Sequence, residues 1–253
     1  MLLYAMLLSN VLGSDVVFTE IMYDPASPEK NGEAEWVEIA NLSGKPVAMK
    51  DWALDDEDPG DWGRFSATLE PGQVAVLINA DATTEEEFLA AWTDPDDEPR
   101  FLIIPVSWAS LANRPTADNE VLQLLNTDGD VVAEANYRQD EGWPASDRSG
   151  GSIYMKIPDA SRMNQGDAWA RSRAGVDDAR ACTPGGVFSR PDVGSPGTIP
   201  SGGSTTNPAT PAPRAPSAPK PAPAPAPKAP ADSTTPAEPE SPPAPPEDDD
   251  IPY

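Results

Sequence analysis

Between Asp15 and Thr198, turn-forming residues interrupt the chain about every eight to twelve positions, and the runs between them are short and β-rich. This is the rhythm of a β-sandwich or a barrel. VVFTEIMY (16–23) reads as the first strand. In EAEWVEIAN (33–41), a period of two sends Val37 and Ile39 to one face and Trp36 and Glu38 to the other. The first pair is expected to pack and the second to meet water, with Asn41 suited to the turn that follows.

Further strands are expected at PVAM with DWAL (46–54), RFSATL (64–69) and QVAVLIN (73–79). Pro71-Gly72 matches the two central positions of a type II turn. One helix is expected at ATTEEEFLAAW, where Thr84 can cap and Glu87, three residues on, can reach back to close a capping box. Three glutamates in its first turn suit the positive end of the helix dipole. Phe88 and Trp92 lie four apart and share a face, expected to lie on the sheets. EVLQLLNTDGDVVAEANY gives two strands joined across Asp128-Gly129, a short-range hairpin signal because both residues accept positive φ. GSIYMKI (151–157) is the last expected strand, and the Gly-, Ser- and Arg-rich stretch after it reads as loosely packed loops.

The two ends read differently. Of the 32 prolines, 18 fall in residues 199–253, a stretch without Trp or Phe. Such a segment cannot bury enough apolar surface to offset about 1 to 2 kcal/mol of chain entropy per ordered residue. It is expected to be a disordered, Pro/Ala-rich and acidic tail whose PAPAPAP core favours polyproline II and acts as a stiff spacer. Recognition of its P-x-x-P spacings by an SH3-like groove is the alternative. Residues 1–14 carry an apolar stretch from Met1 to Leu8 with Gly13 and Ser14 after it, which resembles a short secretory signal without its usual positive start. A buried first strand is the other reading, and export to a secreted or extracytoplasmic location the preferred one. No apolar run reaches 18 residues, so no transmembrane helix is expected.

The order of TEIMYDP (19–25), EWVEIAN (35–41), DWAL (51–54), LEPGQVAVL (69–77) and LLNTDGDVV (124–132) resembles the lamin tail domain family, in its bacterial exported type. GGSIYMKI, DAWARS (167–172) and CTPGG (182–186) look like the closing elements of bacterial members. Asp51 stands where a small Gly is expected before the Trp. The resemblance implies a compact immunoglobulin-like β-sandwich over residues 15–198, all-β with one short inserted helix. Nuclear lamins use this sandwich for protein and nucleic-acid contacts, and bacterial members look like accessory modules on exported proteins. Fold alone does not carry a function across.

Charge and composition narrow the chemistry. With 17 basic and 42 acidic residues, a net charge of -25, the surface repels phosphates, so no nucleic-acid partner is expected. The absence of His removes the nucleophile pairs and zinc sites that depend on it. The lone Cys182 allows no internal disulfide and reads as an idle thiol. Phosphate-loop, nucleophile-elbow and dinucleotide-turn motifs are missing. Glu20 and Glu38 could face outward on adjacent strands as a hydrolytic carboxylate pair, but an open sheet face lacks the desolvation that would separate their roles.

No catalytic residue and no cofactor is therefore assigned. Calcium is the one metal considered, with Asp55, Asp56, Asp58 and Asp61 as oxygen donors in an acidic loop that does not match an EF-hand. Trp36 is the one interaction candidate if nothing covers it, and the preferred reading is that a loop does. Trp52, Trp62, Trp92, Trp108, Trp143 and Trp169 read as core plugs. The leading expectation is an exported, non-enzymatic module that binds a protein or carbohydrate in the cell envelope. The alternatives are a calcium-dependent adhesin-like domain, a carboxylate hydrolase, and recruitment through the tail.

Overall fold

The computed structural model describes residues 15–56, 63–112 and 121–200. The signal-like segment 1–14, residues 201–253 of the tail, and the sequence candidates Asp58, Asp61 and Trp62 lie outside the described residues.

The strands are β1 (Val16–Met22), β2 (Trp36–Asn41), β3 (Val47–Asp55), β4 (Gly63–Leu69), β5 (Val74–Asn79), β6 (Leu102–Val106), β7 (Leu122–Leu125), β8 (Val131–Ala135), β9 (Ile153–Met155), β10 (Trp169–Arg171), β11 (Arg180–Ala181) and β12 (Val193–Gly194). One α-helix, α1 (Glu85–Trp92), lies between β5 and β6. Six strands form one sheet in the order β10-β9-β1-β2-β5-β6, four form a second in the order β4-β3-β7-β8, and β11 pairs with β12. This is an all-β, immunoglobulin-like sandwich. Among the described residues every ladder between two of these strands is antiparallel except β5 with β6, whose parallel register needs a crossover connection, and α1 lies in that crossover.

Alternation along the strands builds two cores. Val37, Ile39, Leu77 and Ile104 of the six-stranded sheet meet Trp52, Leu54, Phe65, Leu122 and Leu124 of the other between the layers. On the opposite face of the six-stranded sheet, Met22, Trp36, Val76 and Ile78 pack under α1 with Phe88, Ala91, Trp92, Cys182 and Phe188. Trp36 meets Phe88 edge-on at 6.0 Å and Trp92 at 5.5 Å between ring centroids. Both aromatic residues of α1 thus face the sheet, as their spacing predicts.

That second core overturns the expectation that this face of β2, with Glu38 on it, meets water, and Trp36 is covered, by α1 as well as by a loop. The period of two is as read, but α1 and the chain after Arg180 cover the outer face, and β2 is buried at all six positions. The stretch after GSIYMKI is likewise not loosely packed. It contributes β10 to the six-stranded sheet, and Asp192, Ser195 and Phe188 from it are buried. FLIIPV, unassigned from sequence, forms the edge strand β6, where Pro105 is tolerated.

Local expectations fare well where the turn chemistry is explicit. Thr84 accepts from the Glu87 amide at 3.2 Å, and the Glu87 carboxylate accepts from the Thr84 amide at 3.1 Å, which closes the capping box. Gly72 takes φ +73° in the turn before β5, with the Gln73 amide donating to the Glu70 carbonyl. In the β7–β8 turn only Gly129 has positive φ, at +83°, whereas Asp128 does not. Asn126 Oδ1 accepts from the amides of Asp128 and Asp130, so a side chain shapes this loop and a second left-handed residue is not needed.

Candidate functional site

The residues singled out from sequence fall on the outer face of the six-stranded sheet and around the end of β3. Glu20 and Glu38 are direct cross-strand partners in the β1–β2 register, so their side chains leave the sheet on the same side as neighbours. They are brought together as expected, but not on an open face: Glu20 is 1 % exposed and Glu38 0 %. Glu20 Oε1 accepts from the hydroxyls of Ser152 and Ser172 and from the Ser195 amide, and Oε2 from the Ser195 hydroxyl at 2.8 Å. Glu38 accepts from the Thr19 hydroxyl and the Gly197 amide, both at 2.6 Å. Burial pushes both carboxyls above the usual carboxylate range, Glu38 well above, with the charge of Glu20 adding to its rise.

A third buried acid, Glu35, faces away from this pair. Its Oε2 accepts from the Trp108 indole at 3.1 Å and the Leu111 amide at 2.8 Å, and its Oε1 from the Ser110 hydroxyl at 2.9 Å. Desolvation pushes it up to about 8 despite those three donors. Sequence reading missed Glu35, because an acid preceding a strand looks like a solvated loop residue. It missed Arg171 as well, whose guanidinium bonds the carbonyls of Gly151 and Ala145 and the hydroxyl of Tyr23, tying β10 to the start of the fold.

Trp36, the interaction candidate, is 0 % exposed and belongs to the core. A surface role for it is corrected on that ground. Asp55 ends β3 and Asp56 follows it, both buried at 9 % and 6 % exposure. Among the described residues no three His, Cys, Asp or Glu side chains gather to hold a metal ion. The described tryptophans other than Trp36, namely Trp52, Trp92, Trp108, Trp143 and Trp169, are also buried. Cys182 is a free buried thiol.

A shallow groove runs between the two sheet edges, lined by Phe65–Thr68 of β4 and Leu102–Pro105 of β6. None of its lining side chains is ionisable. No helix among the described residues is long and apolar enough to cross a membrane.

The family model of the lamin tail domain matches residues 12–139, half of the chain. The chain belongs to the lamin tail domain family. In this member the matched region holds both carboxylates of the cross-strand pair, while β9 to β12 and the serines that bond Glu20 lie beyond it. No curated protein matches the chain. Among solved structures, a DUF4876 family protein from Bacteroides thetaiotaomicron is similar at 16 % identity and a TM-score of 0.26, over 62 % of this chain. The chain spans 50 % of that protein's length.

Proposed function

We propose that this lamin tail domain protein is a non-catalytic, exported interaction or structural module that binds a protein or other macromolecule in the cell envelope, with the proline-rich residues 199–253 as its spacer. The observation that carries this reading is the fate of the acids. Glu20 and Glu38, the pair that hydrolysis would need, are withdrawn from solvent and fully engaged in holding the fold. The groove between β4 and β6, with the hydroxyls of Ser66 and Thr68 among apolar side chains, offers mixed contact without a side chain that titrates.

The test is binding of the full chain, and of a chain ending at Pro200, to envelope fractions, run beside a glycoside and phosphoester hydrolysis screen. Saturable binding by both chains with no turnover is the expected result. Turnover that disappears in Glu38→Gln would overturn the reading and restore the hydrolase. The calcium-dependent adhesin-like alternative needs oxygen donors free to converge, and two of its four aspartates are buried. Calorimetric titration with calcium separates the two readings, since a saturable heat would favour the adhesin.

A further inference from the structure

The two sides of the four-stranded sheet end differently. At β8 the edge is covered by a later loop: Asn164 donates to the Glu134 carboxylate at 2.9 Å and accepts from the Asn136 amide at 2.9 Å. At the other side, among the described residues, β4 has β3 as its one strand neighbour, and β6 of the facing sheet has β5 as its own. These two edges meet at one end, where a Cβ on Gly63 would collide with the Val106 side chain and the Ser107 carbonyl. Away from that contact the groove between Phe65–Thr68 and Leu102–Pro105 lies along the gap.

The floor of that gap is core left open. Ala67 and Leu102, one from each edge, pack against the interlayer core and are only partly buried. Alternation on β4 turns Phe65 and Ala67 toward the layers and Arg64, Ser66 and Thr68 toward solvent. A strand laid beside β4 would set every second side chain over Ala67 and Leu102, and the others beside Ser66 and Thr68. β4 contains no proline, so its outer backbone groups are all able to pair, whereas Pro105 leaves β6 one donor short. A helix keeps its backbone bonds to itself, so only an extended segment satisfies β4. The four lining residues of β4 match about 13 Å of such a segment.

Charge decides which segment fits. Exposed Glu70 follows β4, and the exposed run DPDDEP (94–99) precedes β6, against Arg64 and Arg100, while Lys50 and Asp51 on β3 offset each other. The whole chain carries a net charge of -25. A second copy would bring the same surplus to the contact and be repelled, whereas a cationic segment is drawn in. Resting on the reading of the protein as an interaction module, we propose that the β4 edge and its groove bind an extended, basic segment of a partner protein. The segment pairs with β4 through its backbone, sets alternate apolar side chains over Ala67 and Leu102, and carries its basic residues toward Glu70 and the 94–99 run.

The test is to pan a library of random decapeptides on the full chain and to titrate the recovered peptides while amide chemical shifts are followed residue by residue. The recovered peptides are expected to alternate apolar residues, to carry net positive charge, and to shift the amides of residues 64–69. N-methylation of one alternate set of peptide amides is expected to weaken binding about tenfold or more, and of the other set to change it little, because a strand pairs with an edge through one side only. Ala67→Lys, which sends a cation into the groove, is expected to lower affinity by about tenfold or more. A library without binders, binders that are acidic or lack alternation, shifts that leave β4 unmoved, or N-methyl sets that act alike would each overturn the proposal. So would a dimer of the unaltered chain that Ala67→Lys dissociates, since a second copy would then be the occupant. If Ala67→Lys does not fold, Thr68→Lys and the shift map of the unaltered chain decide the matter. Binding to envelope fractions separates this proposal from the module reading beneath it. Full-strength binding by Ala67→Lys or Thr68→Lys sinks the groove and leaves the module standing, whereas no binding by the unaltered chain removes the module itself.

Discussion

Trp108 donates its indole N–H to Glu35 Oε2 at 3.1 Å across 73 positions of sequence, joining the start of β2 to the chain that leaves β6. Desolvation raises Glu35 from its ordinary 4.5 to about 8, so the folded state holds a proton that the unfolded chain releases much earlier. Its contribution is complete below about pH 4.5 and is lost as pH climbs through about 8. Denaturant unfolding across that window is expected to show stability falling with pH by on the order of a few kcal/mol, shared with the Glu20–Glu38 pair. Glu35→Gln flattens part of that slope. Glu35→Ala instead leaves the Trp108 indole and Leu111 amide without an acceptor and costs about 2 to 3 kcal/mol.

Thr84→Ala tests the capping box. Thr84 bonds Glu87 through both its hydroxyl and its amide at the start of an eight-residue helix that covers Trp36. Loss of the hydroxyl is expected to cost about 1 kcal/mol in urea unfolding, with Thr84→Ser recovering most of it.

Asp51 sits at φ +53° where the β3–β4 register slips between Met49 and Trp52. Its amide donates to the Ser66 hydroxyl at 2.9 Å, and its carbonyl accepts from Arg64 at 3.1 Å. A bulge in the left-handed region explains why Gly is expected there. Asp51→Gly is expected to be neutral or stabilising by up to about 1 kcal/mol, and Asp51→Val to destabilise by about 1 to 2 kcal/mol, because a branched Cβ cannot occupy that conformation without strain. Thermal unfolding of the two variants should move in these different directions.

Cys182 is 4 % exposed, and burial pushes its thiol up to about 11. At neutral pH the native chain is expected to react with a disulfide reagent far more slowly than the urea-unfolded chain, since the thiolate is the nucleophile. Equal rates in the two states would contradict its place under α1.

The sequence carried the elements whose signals are local. Thr84 and Glu87 stand three apart, Pro71-Gly72 names its turn, and Val37 and Ile39 alternate with Trp36 and Glu38 over one strand. What it did not show were properties set by distant partners. Glu38 between apolar neighbours reads as a solvated residue because its amide donor, Gly197, lies 159 positions downstream. Trp36 reads as outward because the helix that covers it comes 49 residues later, in a crossover whose returning strand contains a proline. The serines at 152, 172 and 195 carry no motif at all, and only their convergence on Glu20 gives them a role.

Pro105 stands exposed on β6, the outermost strand of its sheet. Lacking an amide hydrogen, it interrupts the row of donors that a neighbouring molecule would need in order to add a further strand. High local concentration therefore meets, at this edge, a break in the template for side-by-side fusion into fibrils, a hazard that an uninterrupted Leu-Ile-Ile edge would carry.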